Sequence, residues 1–287
     1  MMKYKEIYDA AVSSLKAADV PEAGLDARLL LEYVCDTDRN TLLAHPERPV
    51  SEAEQLRFEK LINKRAMRIP LQHLIGSCEF MGLDFTVSED VLVPRQDTEC
   101  LVEEAMRYIE DGMAVLDMCT GSGCILISLM KYKNDLIGVG CDMSEAALNI
   151  AVRNADRLGV DAVFLRGNMF EALREKQEIP KKFDVIVSNP PYIRSDAIPT
   201  LMEEVRDHEP HMALDGGEDG LGFYRIIADE AKPYLTNYGR VFMEIGYDQK
   251  EEVMQLMKNA GYSNVEAYED YAGNPRVVQA SWINHDL

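Results

Sequence analysis

The chain is 287 residues long, 47% hydrophobic, and carries a formal net charge of −20. It has no apolar run of membrane-spanning length and no signal-peptide stretch in Met1-Met2-Lys3-Tyr4-Lys5-Glu6, so a cytoplasmic protein is expected. An acidic chain repels phosphate backbones unless a basic patch overrides the sum, which points to a protein or small-molecule partner rather than nucleic acid.

Residues 1 to about 75 read as helices. Asp26 to Val34 joins strong helix formers to an apolar face. Ser51-Glu52-Ala53-Glu54 is a capping-box pattern opening a helix on which Phe58, Leu61 and Ile62 share one side. The densest basic cluster, Lys64-Arg65-Ala66-Met67-Arg68, falls at the end of that helix, where cations are favoured by the backbone dipole. Pro70 ends it. Residues 76–95 read as a hairpin around Gly82 followed by the extended linker Val91-Leu92-Val93-Pro94-Arg95.

From residue 96 to 287 short apolar runs alternate with helical stretches: 114–118, 137–142, 162–165, 184–187 and 240–245. Such strands between helices predict an α/β fold with a parallel sheet covered on both faces. Segments 264–268 and 276–282 are separated only by turn residues and predict a terminal antiparallel pair. The six cysteines (Cys35, Cys78, Cys100, Cys119, Cys124, Cys141) form no C-x-x-C pair and read as buried reduced thiols. His208 and His211 lack an acidic partner at ligand spacing, and no metal is expected.

The chemistry gathers at the carboxyl ends of the strands. The first ends in Asp117-Met118-Cys119-Thr120-Gly121-Ser122-Gly123, where glycines let a ligand approach the backbone ahead of a helix N-terminus. The third glycine of a dinucleotide fingerprint is replaced by Leu126, which disfavours a nicotinamide-dependent dehydrogenase. Asp142 ends the second strand and suits a ribose diol. Asn168 and Met169 end the third, suited to the edge and face of a base. The fourth delivers Asn189-Pro190-Pro191-Tyr192. Two prolines remove two N–H donors, leaving a rim of acceptors beside an aromatic ring. That rim suits a planar –NH₂ group, whether on adenine or on an amide. Taken together, the four strand ends predict a crevice for an adenosine-containing ligand.

The glycine loop, the ribose acid and Asn189-Pro190-Pro191-Tyr192 resemble a class I S-adenosylmethionine-dependent methyltransferase acting on a planar nitrogen. Arg68 to Gly76, Phe80-Met81-Gly82-Leu83, Val91 to Glu99 and Glu209 to Leu221 are similar to the HemK/PrmC family, over nearly the whole chain. The resemblance implies a Rossmann-like catalytic domain behind a helical substrate-recognition domain. It also implies S-adenosyl-L-methionine as cofactor, held by Cys119, Thr120, Gly121, Ser122, Gly123, Asp142, Asn168, Met169 and Asn189. The implied activity is N5-methylation of the glutamine in the Gly-Gly-Gln motif of peptide-chain release factors. Asn189 and Pro190 would accept the amide hydrogens, with Pro191 stiffening the loop and Tyr192 packing on the amide plane; a monomer is expected. Gln96, Cys119 and Asn168 depart from the family pattern. The alternatives are methylation of another protein glutamine or of adenine N6, and a non-catalytic S-adenosylmethionine-binding adaptor.

Overall fold

A computed structural model describes residues 1–174 and 176–283. In chain order the elements are α1 (Tyr4–Ala17), α2 (Ala23–Cys35), α3 (Arg39–Ala44), α4 (Glu52–Ala66), α5 (Leu71–Ile75), β1 (Ser77–Phe80), β2 (Leu83–Thr86) and α6 (Gln96–Met106). There follow β3 (Ala114–Met118), α7 (Cys124–Tyr132), β4 (Ile137–Asp142), α8 (Glu145–Leu158), β5 (Val163–Arg166), β6 (Phe183–Ser188) and α9 (Glu203–His208). The chain ends with α10 (Gly222–Glu230), β7 (Leu235–Glu244), α11 (Lys250–Asn259), β8 (Ser263–Glu269) and β9 (Pro275–Ser281). Two compact units form: Met1–Ser77 with Met202–His208, and Cys78–Leu201 with Glu209–Leu287.

The first unit packs α1, α2, α4 and α5 around Leu15, Leu30, Leu31, Phe58 and Ile62. The Ser51–Glu54 capping box closes as its residues dictate: the Ser51 amide donates to Glu54 Oε2 at 2.9 Å and the Glu54 amide to Ser51 Oγ at 3.3 Å. Residues 202–208, expected in the catalytic domain, belong instead to this helical unit. The reason is electrostatic. Arg65 is buried and donates to Asp26 at 2.7 Å and to Glu204 at 3.0 Å, while Arg68 grips the same Glu204 carboxylate with two bonds of 2.8 and 2.6 Å. Arg65 and Arg68 are therefore structural, held by Asp26 and Glu204 more than by the helix dipole.

The second unit is a seven-stranded sheet in the order β5-β4-β3-β6-β7-β9-β8. All neighbours on the β5-to-β7 side are parallel; β9 alone runs against them, antiparallel to both β7 and β8. Alternation along each strand feeds two cores. Leu116, Met118, Ile186 and Met243 face α10 and α11. Val115, Val185, Val187 and Phe242 face α6 and α7. Ahead of the sheet, β1 and β2 form a hairpin whose turn residues Met81 and Gly82 both have positive φ, 52° and 68°, the signature of a two-residue primed turn. Chain order reverses between β3 and β6, which opens a crevice at their carboxyl ends.

Burial works to raise the Glu204 carboxyl, but hydrogen bonds from Arg68 and Arg65 outweigh it and hold it down at about 2. Because its folded value is depressed, its contribution to stability is present above the ordinary ~4.5 of a glutamate and is lost as pH falls from there toward 2. Glu204→Ala strands two guanidinium groups, one of them buried. It should cost about 3 kcal/mol at neutral pH and remove that acid-side loss, both readable in thermal melts at pH 7 and pH 3.5.

Candidate active site

The glycine loop begins with a buried acid. Asp117, the fourth residue of β3, is fully buried, and its Oδ2 accepts the Thr120 hydroxyl at 2.6 Å. The Thr120 amide in turn donates to the Cys141 carbonyl at the end of β4, 3.0 Å away. With both strand ends tied, the loop turns through residues at positive φ: Cys119 at 64°, Gly121 at 55°, Gly123 at 79°. Cys119 therefore occupies a left-handed position, where a Cβ costs roughly 1–2 kcal/mol, and its sulfur sits 3.8 Å from that of Met169. A Cβ on Gly121 would meet no protein atom within 4 Å, leaving the space over that backbone free for a ligand. At Gly123, by contrast, it would strike Ile127 at 2.9 Å and Ala151 at 3.2 Å, so this glycine is needed for packing at the start of α7.

Asp142 locks the loop from the neighbouring strand. Its Oδ2 accepts from the Gly121 amide at 2.9 Å and its Oδ1 from the Ser144 amide at 2.8 Å. Burial pushes this carboxyl above the usual range, although those amides oppose the shift. Each oxygen keeps a lone pair for a further donor. Asn168 is exposed, and its amide makes no hydrogen bond among the described residues; Met169, beside it, is buried at φ 48° and opens a short 3₁₀ turn.

A cleft of about 970 Å³, counting its open mouth, runs across these strand ends. It is lined by Cys119, Thr120, Gly121, Ser122, Asp142, Asn168, Met169, Asn189 and Pro191 from the expected set. Gly123, Pro190 and Tyr192 are not among the lining residues. Its walls also include residues that the sequence reading did not single out as site residues: Leu92, Thr98, Met143 and Phe223. Leu92 and Thr98 lie in a stretch read only as linker and family motif. Their approach to the cleft is a long-range contact that no local pattern encodes.

Asn189 is half-buried at the end of β6, and its Nδ2 donates to Thr98 Oγ1 at 3.2 Å. No donor among the described residues reaches the Pro190 carbonyl. Tyr192 is turned inward: its hydroxyl donates to Glu244 Oε1 at 3.2 Å and its carbonyl accepts from Gln249 at 3.0 Å. Burial pushes its phenol well up, and the nearby Glu244 adds to this. The ring is therefore braced from below and does not swing freely over the cleft.

Without N–H groups on its prolines, the loop is held from the side. Ile193 forms an isolated parallel bridge with Asp215; its amide donates to Leu214 at 3.0 Å, and its carbonyl accepts from Gly216 at 2.8 Å. A Cβ on Gly216 would lie 2.7 Å from Tyr192 Cα and 2.9 Å from the Pro191 carbonyl. The run Glu209 to Leu221 is thus the bed of the proline loop. The run Arg95 to Glu99 spreads similarly: Arg95 binds buried Glu209 at 2.5 Å, Asp97 binds Arg276 at 3.2 Å, Thr98 takes Asn189, and Glu99 accepts the Met81 amide at 2.6 Å. Gln96, a departure from the family pattern, is exposed. His208 meets the Met67 carbonyl at 3.0 Å and His211 lies 3.9 Å from Asp215, both as surface contacts. All six cysteines are free thiols.

A methyltransferase-domain family model matches residues 109–261, and a PrmC N-terminal-domain model matches residues 6–76. A crystal structure of a methyltransferase from Pyrococcus furiosus, 20% identical, superposes over 82% of this chain and all of its own with a TM-score of 0.53. The fold and the glycine loop define an S-adenosylmethionine-dependent methyltransferase. A release factor glutamine methyltransferase from Agrobacterium fabrum is 41% identical over 277 residues, 94% of each chain. Another from Clostridium acetobutylicum is 41% identical over 283 residues, 97% of this chain and 98% of its own. The chain belongs to the release factor glutamine methyltransferase family.

Gly216→Ala tests the bed of the proline loop. Because the clash is with backbone, the loop must shift. A destabilisation of about 1–3 kcal/mol is expected in thermal melts, with turnover reduced while S-adenosylhomocysteine affinity is kept.

Proposed function

We propose that this chain methylates the side-chain nitrogen of the glutamine in the Gly-Gly-Gln motif of peptide-chain release factors. The reading is carried by the acceptor rim after β6, which places Asn189 at the cleft wall beside a Pro190 carbonyl that no described donor reaches. The residues suit S-adenosylmethionine. Gly121 leaves open backbone, Asp142 has lone pairs for a diol, Asn168 has an uncommitted amide, and Met169, Met143 and Phe223 supply apolar wall. Bound there, it supplies an electrophilic methyl on a sulfonium.

An amide nitrogen is a weak nucleophile because its lone pair is shared with the carbonyl. Asn189 Oδ1 and the Pro190 carbonyl take its two hydrogens and hold the nitrogen facing the cleft. Such positioning contributes several kcal/mol, about 7–11 in the best intramolecular cases. The same two oxygens carry partial negative charge and stabilise the positive charge that grows on nitrogen. Pro191 keeps the rim rigid. Tyr192, fixed by Glu244, walls the amide from water. The proton left on nitrogen is lost after transfer, so no side-chain base is invoked.

The helical unit and the chain's −20 charge support a protein substrate, with release factor held by residues 1–75 and a single copy of the chain as the working unit in the cytoplasm. Among the described residues no helix is long and apolar enough to cross a membrane.

Tritiated S-adenosylmethionine with purified release factor tests the reading. Label should enter the wild-type factor and not one whose Gly-Gly-Gln glutamine is replaced by alanine. Asn189→Ala should lower kcat about 10²–10³-fold with cofactor binding retained. Label on duplex DNA would favour the adenine enzyme, and cofactor binding without any transfer would favour the adaptor.

A further inference from the structure

S-adenosylmethionine carries charge of both signs: a sulfonium, an ammonium, and one carboxylate at the end of its amino-acid tail. The carboxylate is the group for which the cleft walls offer least. Among the described residues that line the cleft there are two acids, Asp90 and Asp142, and a single cation, Arg95. An anion drawn in beside those acids loses hydration and meets like charge unless a cation receives it. Arg95 is the N-cap residue of α6, and its carbonyl accepts the Thr98 amide at 3.1 Å. Thr98 in turn takes the Asn189 side chain at 3.2 Å, so Arg95 belongs to the end of the cleft where the acceptor rim lies. A cofactor laid with its base at Asn168 and its ribose at Asp142 has its sulfonium and tail left for that end.

We infer that Arg95, anchored from behind by Glu209, binds the carboxylate of the cofactor's methionine moiety. The guanidinium is held but not spent. Its Nη2 donates to Glu209 Oε1 at 2.5 Å, while Nε and Nη1 make no hydrogen bond among the described residues. Whichever Nη2 hydrogen Glu209 takes, one edge of the planar fork keeps two parallel N–H groups, enough for a bidentate carboxylate. The Arg95 side chain is 42% exposed and that of Glu209 only 1%, so the acid fixes the cation and the open edge stays accessible. Glu209 Oε2 has no partner among the described residues, which leaves Arg95 as the one donor to that buried carboxylate. The pairing also meets a charge problem. A lone cation beside the methyl donor would repel its sulfonium, whereas Arg95 and Glu209 together carry no net charge and still present directed donors.

This inference rests on the placement of the cofactor under the proposed function, and binding alone tests it, so a failure of transfer to release factor leaves it standing. Calorimetric titrations with S-adenosylmethionine and with its decarboxylated form, which differ only in that carboxylate, read the contact. Wild type should hold the carboxylate form about 10–100-fold tighter. Arg95→Met keeps the stem and removes the fork. It should bind the two forms within threefold of each other, and the decarboxylated form within threefold of wild type. Arg95→Lys keeps the charge beside Glu209 without the fork, and should retain less than a third of the wild-type discrimination. Wild-type discrimination in either variant, equal loss for both forms in the folded variants, or no discrimination in wild type would each overturn the assignment. Unchanged cofactor binding with a raised KM for release factor would also overturn it, giving Arg95 to the substrate. If Arg95→Met does not fold, Arg95→Lys decides by the same comparison. Failure of the cofactor placement itself would appear instead as a wild-type protein that binds neither form.

Discussion

Two consecutive prolines strip the backbone after β6 of N–H groups, and the surrounding structure exists to hold that loop without them. A strand end that cannot donate to its neighbours must be fixed by its carbonyls, by its side chains and by whatever packs beneath it. Here the supports are three. The Ile193–Asp215 bridge fixes the exit, Gln249 takes the Tyr192 carbonyl, and Gly216 brings a second backbone to a distance no side chain would allow. The loop's acceptors are left for a substrate because its structural bonds are made elsewhere.

The motif Arg95-Gln96-Asp97-Thr98-Glu99 shows how far such support reaches. Four of its five side chains go to four different places: Glu209, Arg276, Asn189 and the Met81 amide. One short run at the start of α6 therefore ties the hairpin, the antiparallel strand and the proline loop together. Glu209, whose carboxyl is pushed up by burial and opposed by Arg95, illustrates the cost of placing such acids inside. Fully buried carboxyls are tolerated only where each finds donors. Asp117, Glu209 and Glu244, each with one oxygen left without a hydrogen-bond partner among the described residues, are the places where that condition is least met.

Much of this was legible in the sequence because it is local. Apolar runs such as Ala114–Met118 mark strands buried on both faces, Ser51–Glu54 closes the capping box it spells, and the strand-end residues Asp142, Met169 and Asn189 do converge on one cleft. β7 begins earlier than its apolar core suggests, at Leu235, which pairs with Phe183 ahead of a register shift that leaves Thr236 to Gly239 outside the β6 ladder. What was not legible is long-range. Nothing near Thr98 signals that its hydroxyl meets Asn189, 91 positions on. Nothing near Glu204 signals that Arg65 and Arg68 draw it into the helical unit. Tyr192 was read as packing on the substrate amide; that its phenol is fastened to a buried acid is a contact no local pattern points to.

The central claim is geometric: Asn189 Oδ1 and the Pro190 carbonyl receive the two hydrogens of a glutamine amide. A crystal structure of this chain with S-adenosylhomocysteine and a release factor tests it most directly. The account predicts the glutamine nitrogen within about 2.7–3.2 Å of both oxygens, with Asn189 Nδ2 still on Thr98. A glutamine nitrogen beyond hydrogen-bond reach of either oxygen, or Asn189 turned so that its NH₂ faces the substrate, would contradict it.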